Sequence, residues 1–239
     1  MTVAEEFLGA TNPIFEECTG GLAMLTRIIV SSPSSLAGNA RAALVPAIYA
    51  YWERFFRMTF GEFLRSVSLA RLDLASVSTP LARLRIRRDV LQLRTSHRDH
   101  LLRIVDRDVR TSGPEFLSAS AELANIETLC RTIVSFPDPT DWIETDSNVR
   151  YEVLEKNCRN LGLNPERLKE LLLESQLELY PELKDLVDKR NDIAHGNVLG
   201  PLDSATWNRM QEFVYALMHH VQFFLHECLE GGVHRAASA

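Results

Sequence analysis

Leu186-Val187-Asp188-Lys189-Arg190-Asn191-Asp192-Ile193-Ala194-His195-Gly196 closes an apolar helix with charged residues, a histidine and a glycine. Leu183, Leu186, Val187 and Ile193 fall on one face at helical spacing. Gly196 is the expected stop, because glycine accepts the left-handed backbone in which many helices end. Tyr180-Pro181 restarts the chain into this helix. Working outward, Asp203 or Ser204 caps a last helix through Trp207, Phe213, Leu217, Phe223 and Leu225, closed by Gly231-Gly232. Upstream, Asn164-Pro165-Glu166 pairs a cap with proline at the first helical position. Before it, Asp146 or Ser147 can cap a helix from Asn148 to about Leu161, ended by Gly162.

The first half is helical too. Asn12-Pro13 predicts a helix start, continuing through Ile14 and Met24 to Val30, with Gly20-Gly21 a weak point. Ser31-Ser32-Pro33-Ser34-Ser35 turns the chain into a long helix from about Leu36 to Leu72, with Pro46 the place for a kink. Tyr49, Trp52, Phe55, Phe56, Phe60 and Phe63 recur at threes and fours there, which reads as core packing. After Ser78-Thr79-Pro80, residues 81–110 hold nine arginines against four aspartates, a balance of +5, on an amphipathic helix or helix pair. Thr111-Ser112-Gly113-Pro114 ends it, and a short helix near Ile126 to Ile133 precedes a turn at Phe136-Pro137-Asp138-Pro139. Alternating strand-like runs are scarce. The expectation is an all-α bundle with short connections.

A chain of 239 residues, 46% hydrophobic, can bury one full core, and no Pro/Gly/Ser-rich linker divides it. Its net charge of −6 offers no general attraction for nucleic acid, so any such contact must be local. Cys18, Cys130, Cys158 and Cys228 form no C-x-x-C pair and read as reduced, partly buried thiols. The acidic start Met1-Thr2-Val3-Ala4-Glu5-Glu6 lacks signal-peptide character, and no apolar run reaches membrane-span length, so a soluble cytoplasmic protein is expected. Without a Gly-rich phosphate loop, a G-x-S-x-G elbow or H-E-x-x-H, nucleotide-triphosphate, esterase and zinc-protease chemistries are disfavoured.

Arginine, four residues, then histidine suits RNA cleavage without metal or cofactor. Histidine can take the proton from a ribose 2′-hydroxyl or give one to the leaving oxygen. Arginine, always charged and fork-shaped, can hold the scissile phosphate. Spacing alone carries little: allowing gaps of four to six residues, 22 arginines and seven histidines supply roughly two matches by chance, and two occur, Arg190 to His195 and Arg94 to His100. Five residues of ideal helix set the first pair about 140° apart, so they share one groove only at a helix end or across two copies of the chain. On residues alone, Arg190 could equally pair with Asp185, Asp188 or Asp192, with His195 merely finishing a helix.

Context separates the two matches. Arg190-Asn191, three residues, then His195-Gly196, behind an apolar helix, resembles the HEPN superfamily signature. Asn148–Leu163 and Leu171–Leu186 resemble the RiboL-PSP-type branch, and Ile48-Tyr49-Ala50-Tyr51-Trp52-Glu53-Arg54-Phe55 its long aromatic helix. The match at Arg94 lacks the asparagine and trailing glycine. The resemblance implies a single HEPN-like domain over residues 1–239, its core about 14–73 and 146–230, with an Arg-rich helical insertion about 78–140. It implies a homodimer whose motifs face across a cleft, leaving a 2′,3′-cyclic phosphate and a 5′-hydroxyl. Arg190 would bind phosphate, His195 act as acid and base, and Asn191 orient groups within the site. Glu53 either holds His195 or Arg190 or is an ordinary surface or ion-paired residue. Bacterial defence or a toxin–antitoxin system, with a separate antitoxin or sensor, is the implied setting. The alternative is a noncatalytic dimer that binds a nucleotide or protein.

Three further patterns are weaker. The basic stretch, with Arg83, Arg87, Arg94 and Arg98, divides evenly between RNA or partner contact and surface ion pairing. His219, His220, His226, Cys228 and His234 lack a usual zinc spacing and read as partly exposed helix residues. Glu166, Glu170, Glu174 and Glu178 form a self-repelling ladder that RNA would avoid.

Overall fold

The computed structural model describes residues 2–91, 131, 133–146, 148–197 and 200–236. Among these the fold is all-α: α1 (Val3–Val30), α2 (Ala37–Leu69), α3 (Thr79–Leu91), a 3-10 turn (Pro139–Trp142), α4 (Tyr151–Leu161), α5 (Pro165–Glu174), α6 (Leu179–Ala194) and α7 (Ser204–Glu230). Extended pairing among the described residues is confined to isolated bridges, Asp73 with Ile133 and Val77 with Arg235. Ile133 is therefore not helical, and the rest of the helix expected near 126–133 lies outside the described residues apart from Arg131. None of the described helices is long and apolar enough to cross a membrane.

Helix α2 is the central post, packed against α1, α7, the 3-10 turn and α6. Its 33 residues span about 50 Å. Trp52, Phe55, Phe56, Phe60 and Phe63 are fully buried, which confirms the aromatic stripe as core. Phe56 packs on Phe60 with ring centroids 4.5 Å apart and planes tilted by 39°. Pro46 lies inside α2 as expected, and the helix ends at Leu69 rather than Leu72.

Helix α1 corrects the expected start. It begins at Val3, not at Asn12-Pro13, and carries Pro13 within it. Thr2 and Glu5 form a reciprocal capping box, with Thr2 N–H donating to Glu5 at 2.6 Å and Glu5 N–H to Thr2 Oγ1 at 3.1 Å. Burial then holds the segment that proline weakens. Ala4, Phe7 and Thr11 sit in the core before Pro13, and Cys18, Leu22, Leu25 and Ile29 after it. Gln222 of α7 donates to Thr11 Oγ1 at 2.9 Å and Asn12 Oδ1 at 2.8 Å, fastening the chain where the proline removes a ladder bond.

The later helices follow their local signals more closely. Asn164 accepts from Glu166 N–H at 3.2 Å, and Asp203 from Thr206 N–H at 2.8 Å. Gly162 takes φ +76° at the end of α4. Helix α6 starts at Leu179, with Pro181 inside its first turn. The start of α4 is the exception: it opens at Tyr151 rather than Asn148, because Asn148 and Val149 are held in tertiary contacts.

Candidate functional site

Leu179, Leu183, Leu186 and Val187 are buried along α6 and set the helix against the core. Its outer side is laced by ion pairs, Lys184 with Asp188 and Lys189 with Asp185. The helix ends in a Schellman arrangement. Gly196 N–H donates to Ile193 O at 3.0 Å and Asn197 N–H to Asp192 O at 2.8 Å, with Gly196 at φ +79°. Asn197 Nδ2 also donates to Asp192 Oδ1 at 3.1 Å. His195 is the C-cap residue, at φ −88° and ψ 6°, and is exposed. Its N–H still donates to Asn191 O at 2.9 Å, so the chain leaves the helix only after this residue.

Arg190, one and a half turns earlier, points at α2. Its guanidinium lies over the Tyr49 ring at 5.3 Å from the centroid. Its Nη1 donates to Asn191 Oδ1 at 3.0 Å. The three neighbouring aspartates are engaged elsewhere: Asp185 by Lys189, Asp188 by Lys184 and Asp192 by Asn197. Among the described residues, Arg190 therefore has no carboxylate partner, which removes the ion-pair explanation left open by the sequence.

Two residues that motif reading missed complete this region. Asn148, 5% exposed, donates from Nδ2 to the same Asn191 Oδ1 at 3.2 Å. Its own Oδ1 is buried without a hydrogen-bond partner among the described residues. Tyr49, 1% exposed, accepts from Val149 N–H at 2.6 Å, and Trp52 Nε1 donates to Val149 O at 3.3 Å. The Tyr49 phenol is pushed up to about 12, chiefly by burial; the Val149 N–H and the charges of Arg190 and Arg150 pull the other way, and Glu53 adds to the rise. Sequence showed Tyr49 only as one more aromatic in a core stripe, and nothing local distinguishes Asn148.

The family model described as RiboL-PSP-HEPN matches residues 25–222, which takes in Tyr49, Glu53, Asn148 and the whole Arg190–His195 motif. The chain belongs to the RiboL-PSP-HEPN family. No curated protein and no solved structure matches it. The matched span also includes the Arg-rich stretch that the motif resemblance had left aside.

The other expected site residues of this RiboL-PSP-HEPN chain are placed unevenly. Glu53, half-buried one turn beyond Tyr49, makes no hydrogen bond or ion pair among the described residues. Within one chain it makes no such bond to Arg190 or His195 among the described residues; its charge adds to the upward shift of Tyr49. Arg83 is half-buried and Arg87 exposed on α3, which packs on α4. Arg85 lies over the Trp142 ring at 5.9 Å, so part of the basic segment faces protein. Arg94 and Arg98, and the second match at Arg94–His100, lie outside the described residues.

The C-terminal histidines are dispersed. His219 is exposed, His220 shares a 2.9 Å hydrogen bond with Ser175, and His226 pairs with Glu230 at 3.7 Å. His234 departs from the expected exposed helix position: it follows α7, is 3% exposed, and neither ring nitrogen has a partner among the described residues. Among those residues no group of three His, Cys, Asp or Glu is placed to hold a metal ion. Cys18 and Cys158 are buried free thiols and Cys228 is half-buried, all pushed up by burial. The glutamate ladder is offset by Arg167, which meets Glu170 at 3.5 Å and Glu227 at 3.2 Å, and by Lys169 on Glu166. A cleft of about 570 Å³ between α1 and α7, lined by Leu22, Leu177, Gln211 and Tyr215, touches none of the motif residues.

Proposed function

We propose that this chain is an RNA endonuclease of HEPN type, acting in bacterial defence or a toxin–antitoxin system. The observation that supports it is the state of Arg190. A half-buried guanidinium is held in place by an aromatic face and an amide oxygen while Asp185, Asp188 and Asp192 are drawn elsewhere. Among the described residues one of its N–H groups is committed, which leaves the rest for a phosphate, the anion whose geometry the fork fits.

The reaction needs two proton transfers. The ribose 2′-oxygen attacks the adjacent phosphorus as its proton passes to an imidazole, and the bond from phosphorus to the 5′-oxygen breaks. That oxygen then receives a proton, giving a 2′,3′-cyclic phosphate and a 5′-hydroxyl. His195, exposed at the cap of α6, supplies the imidazole, and Arg190 neutralises the charge that grows on the phosphoryl oxygens. In a homodimer with the two motifs across one cleft, the His195 rings of the two copies divide the transfers.

The test is total RNA incubated with the full chain in EDTA. The expected result is fragments ending in cyclic phosphate, lost in both Arg190→Ala and His195→Ala. Cleavage that survives His195→Ala rejects that residue as acid and base. A wild-type protein that retains an oligonucleotide without cutting it selects the noncatalytic binding module instead. Expression toxicity relieved by His195→Ala supports the toxin setting and a separate antitoxin or sensor.

A further inference from the structure

Three segments far apart in sequence close a circuit of contacts around Arg190. Its guanidinium lies on the Tyr49 ring. The Tyr49 hydroxyl accepts from Val149 N–H, 100 residues away. The neighbouring residue, Asn148, donates to Asn191 Oδ1, 43 residues on. The same oxygen accepts from Arg190 Nη1, which completes the ring. Trp52 locks the circuit from α2 by donating to Val149 O, so both backbone groups of Val149 are held by side chains of one helix.

We propose that Tyr49 and Asn148 are positioning residues for Arg190, fixing the plane and direction in which its guanidinium meets a phosphate. The amide of Asn191 can turn either its oxygen or its NH₂ toward the arginine, and only the oxygen is compatible with a cation. Arg190, which can only donate, sets Asn191 with its oxygen inward, and Asn148 Nδ2 holds that oxygen from the other side. Tyr49 acts twice: its ring supports the guanidinium face, and its hydroxyl anchors the segment that presents Asn148. An arginine otherwise keeps wide rotamer freedom, which a bound phosphate would have to freeze. Here that order exists before the ligand arrives.

Asn148 also carries the mark of a residue kept for something other than stability. It is 5% exposed, yet its Oδ1 is buried without a partner among the described residues, an arrangement that weakens a fold. An apolar side chain of similar size would remove that cost. A structural residue behaves in the opposite way.

The experiment uses the full chain and its Asn148→Leu and Tyr49→Phe variants, each followed by two readouts. The first is rotation about the Arg190 Cζ–Nε bond, seen by arginine side-chain NMR without any RNA. Slow rotation in the wild type should become fast in Asn148→Leu, with Tm unchanged or raised, and be partly released in Tyr49→Phe. The second rests on the ribonuclease reading: kcat should fall about 10- to 100-fold in Asn148→Leu with little change in KM. Combining the two substitutions should cost less than the product of their separate effects, because both break one circuit. The proposal is overturned if Arg190 rotates equally in wild type and Asn148→Leu, or if kcat falls only in step with a lowered Tm. Release of Arg190 in the variant, in a protein that cuts no RNA, upholds the positioning roles while the ribonuclease reading fails.

Discussion

Replacing Gly196 with alanine isolates the stop of α6 from everything around it. Gly196 sits at φ +79°, and a Cβ built there meets nothing within 4 Å. The substitution therefore adds no clash, and its whole cost is the left-handed backbone of an L-residue, about 1–2 kcal/mol. For a chain of this length each kcal/mol moves Tm by about 2–4 °C, so Gly196→Ala should lower Tm by about 2–8 °C. Gly196→Asn should lose less, since asparagine tolerates this region, and Gly196→Val more, since β-branching penalises it further. Equilibrium urea unfolding of the three variants, with the slope m held constant, gives the ordering. Two bonds depend on this turn, Gly196 N–H to Ile193 O and Asn197 N–H to Asp192 O, and His195 is the residue immediately before it. RNA cleavage at a temperature where all variants are folded should thus fall in the same order. Equal stability in the glycine and alanine proteins would refute the strained stop. Equal cleavage in all four would refute the claim that the stop aims His195.

Two other outcomes follow from the same geometry. Arg190→Lys keeps the charge but loses the planar face over Tyr49 and the forked donors. It should cut cleavage by about 10- to 100-fold while changing stability by less than about 2 kcal/mol, read by kinetics and urea unfolding together; full activity would show that charge alone suffices. His234 is held below its ordinary value of 6.5 by burial and then by Arg235. The unfolded chain therefore binds the extra proton first, and the stability His234 contributes is present above about pH 6.5 and lost as pH falls through its folded-state value. His220 is lowered in the same direction, by burial and His219, so His234→Leu should flatten the loss of stability between pH 7.5 and 5.5 without abolishing it. An unchanged slope would remove His234 as a contributor.

The ends of the later helices were legible because each is decided within a few residues. Asn164 and Asp203 cap helices whose N–H groups lie two and three positions on, and Gly162 and Gly196 stop helices through their own φ. The helix at the N-terminus was misread from the same vocabulary. Asn12-Pro13 has the form of a start, but the capping box at Thr2 and the burial of Phe7 and Thr11 outweigh it. Gln222 supplies the tie from 210 positions away, where no local pattern shows it.

For the site, sequence by itself determined the motif, its place at a helix end, and, with the resemblance, the family. It had only Asp185, Asp188 and Asp192 to offer Arg190 as neighbours, because those lie within one turn or so. Tertiary structure decided that these aspartates are engaged elsewhere, that Arg190 faces Tyr49, and that Asn148 shares its acceptor. It left Glu53 without a hydrogen bond or ion pair to Arg190 or His195 among the described residues. The division has one physical cause. Caps and stops are satisfied by backbone groups that the chain itself brings near, whereas orienting a half-buried guanidinium takes side chains from three segments, which meet only when the core has packed.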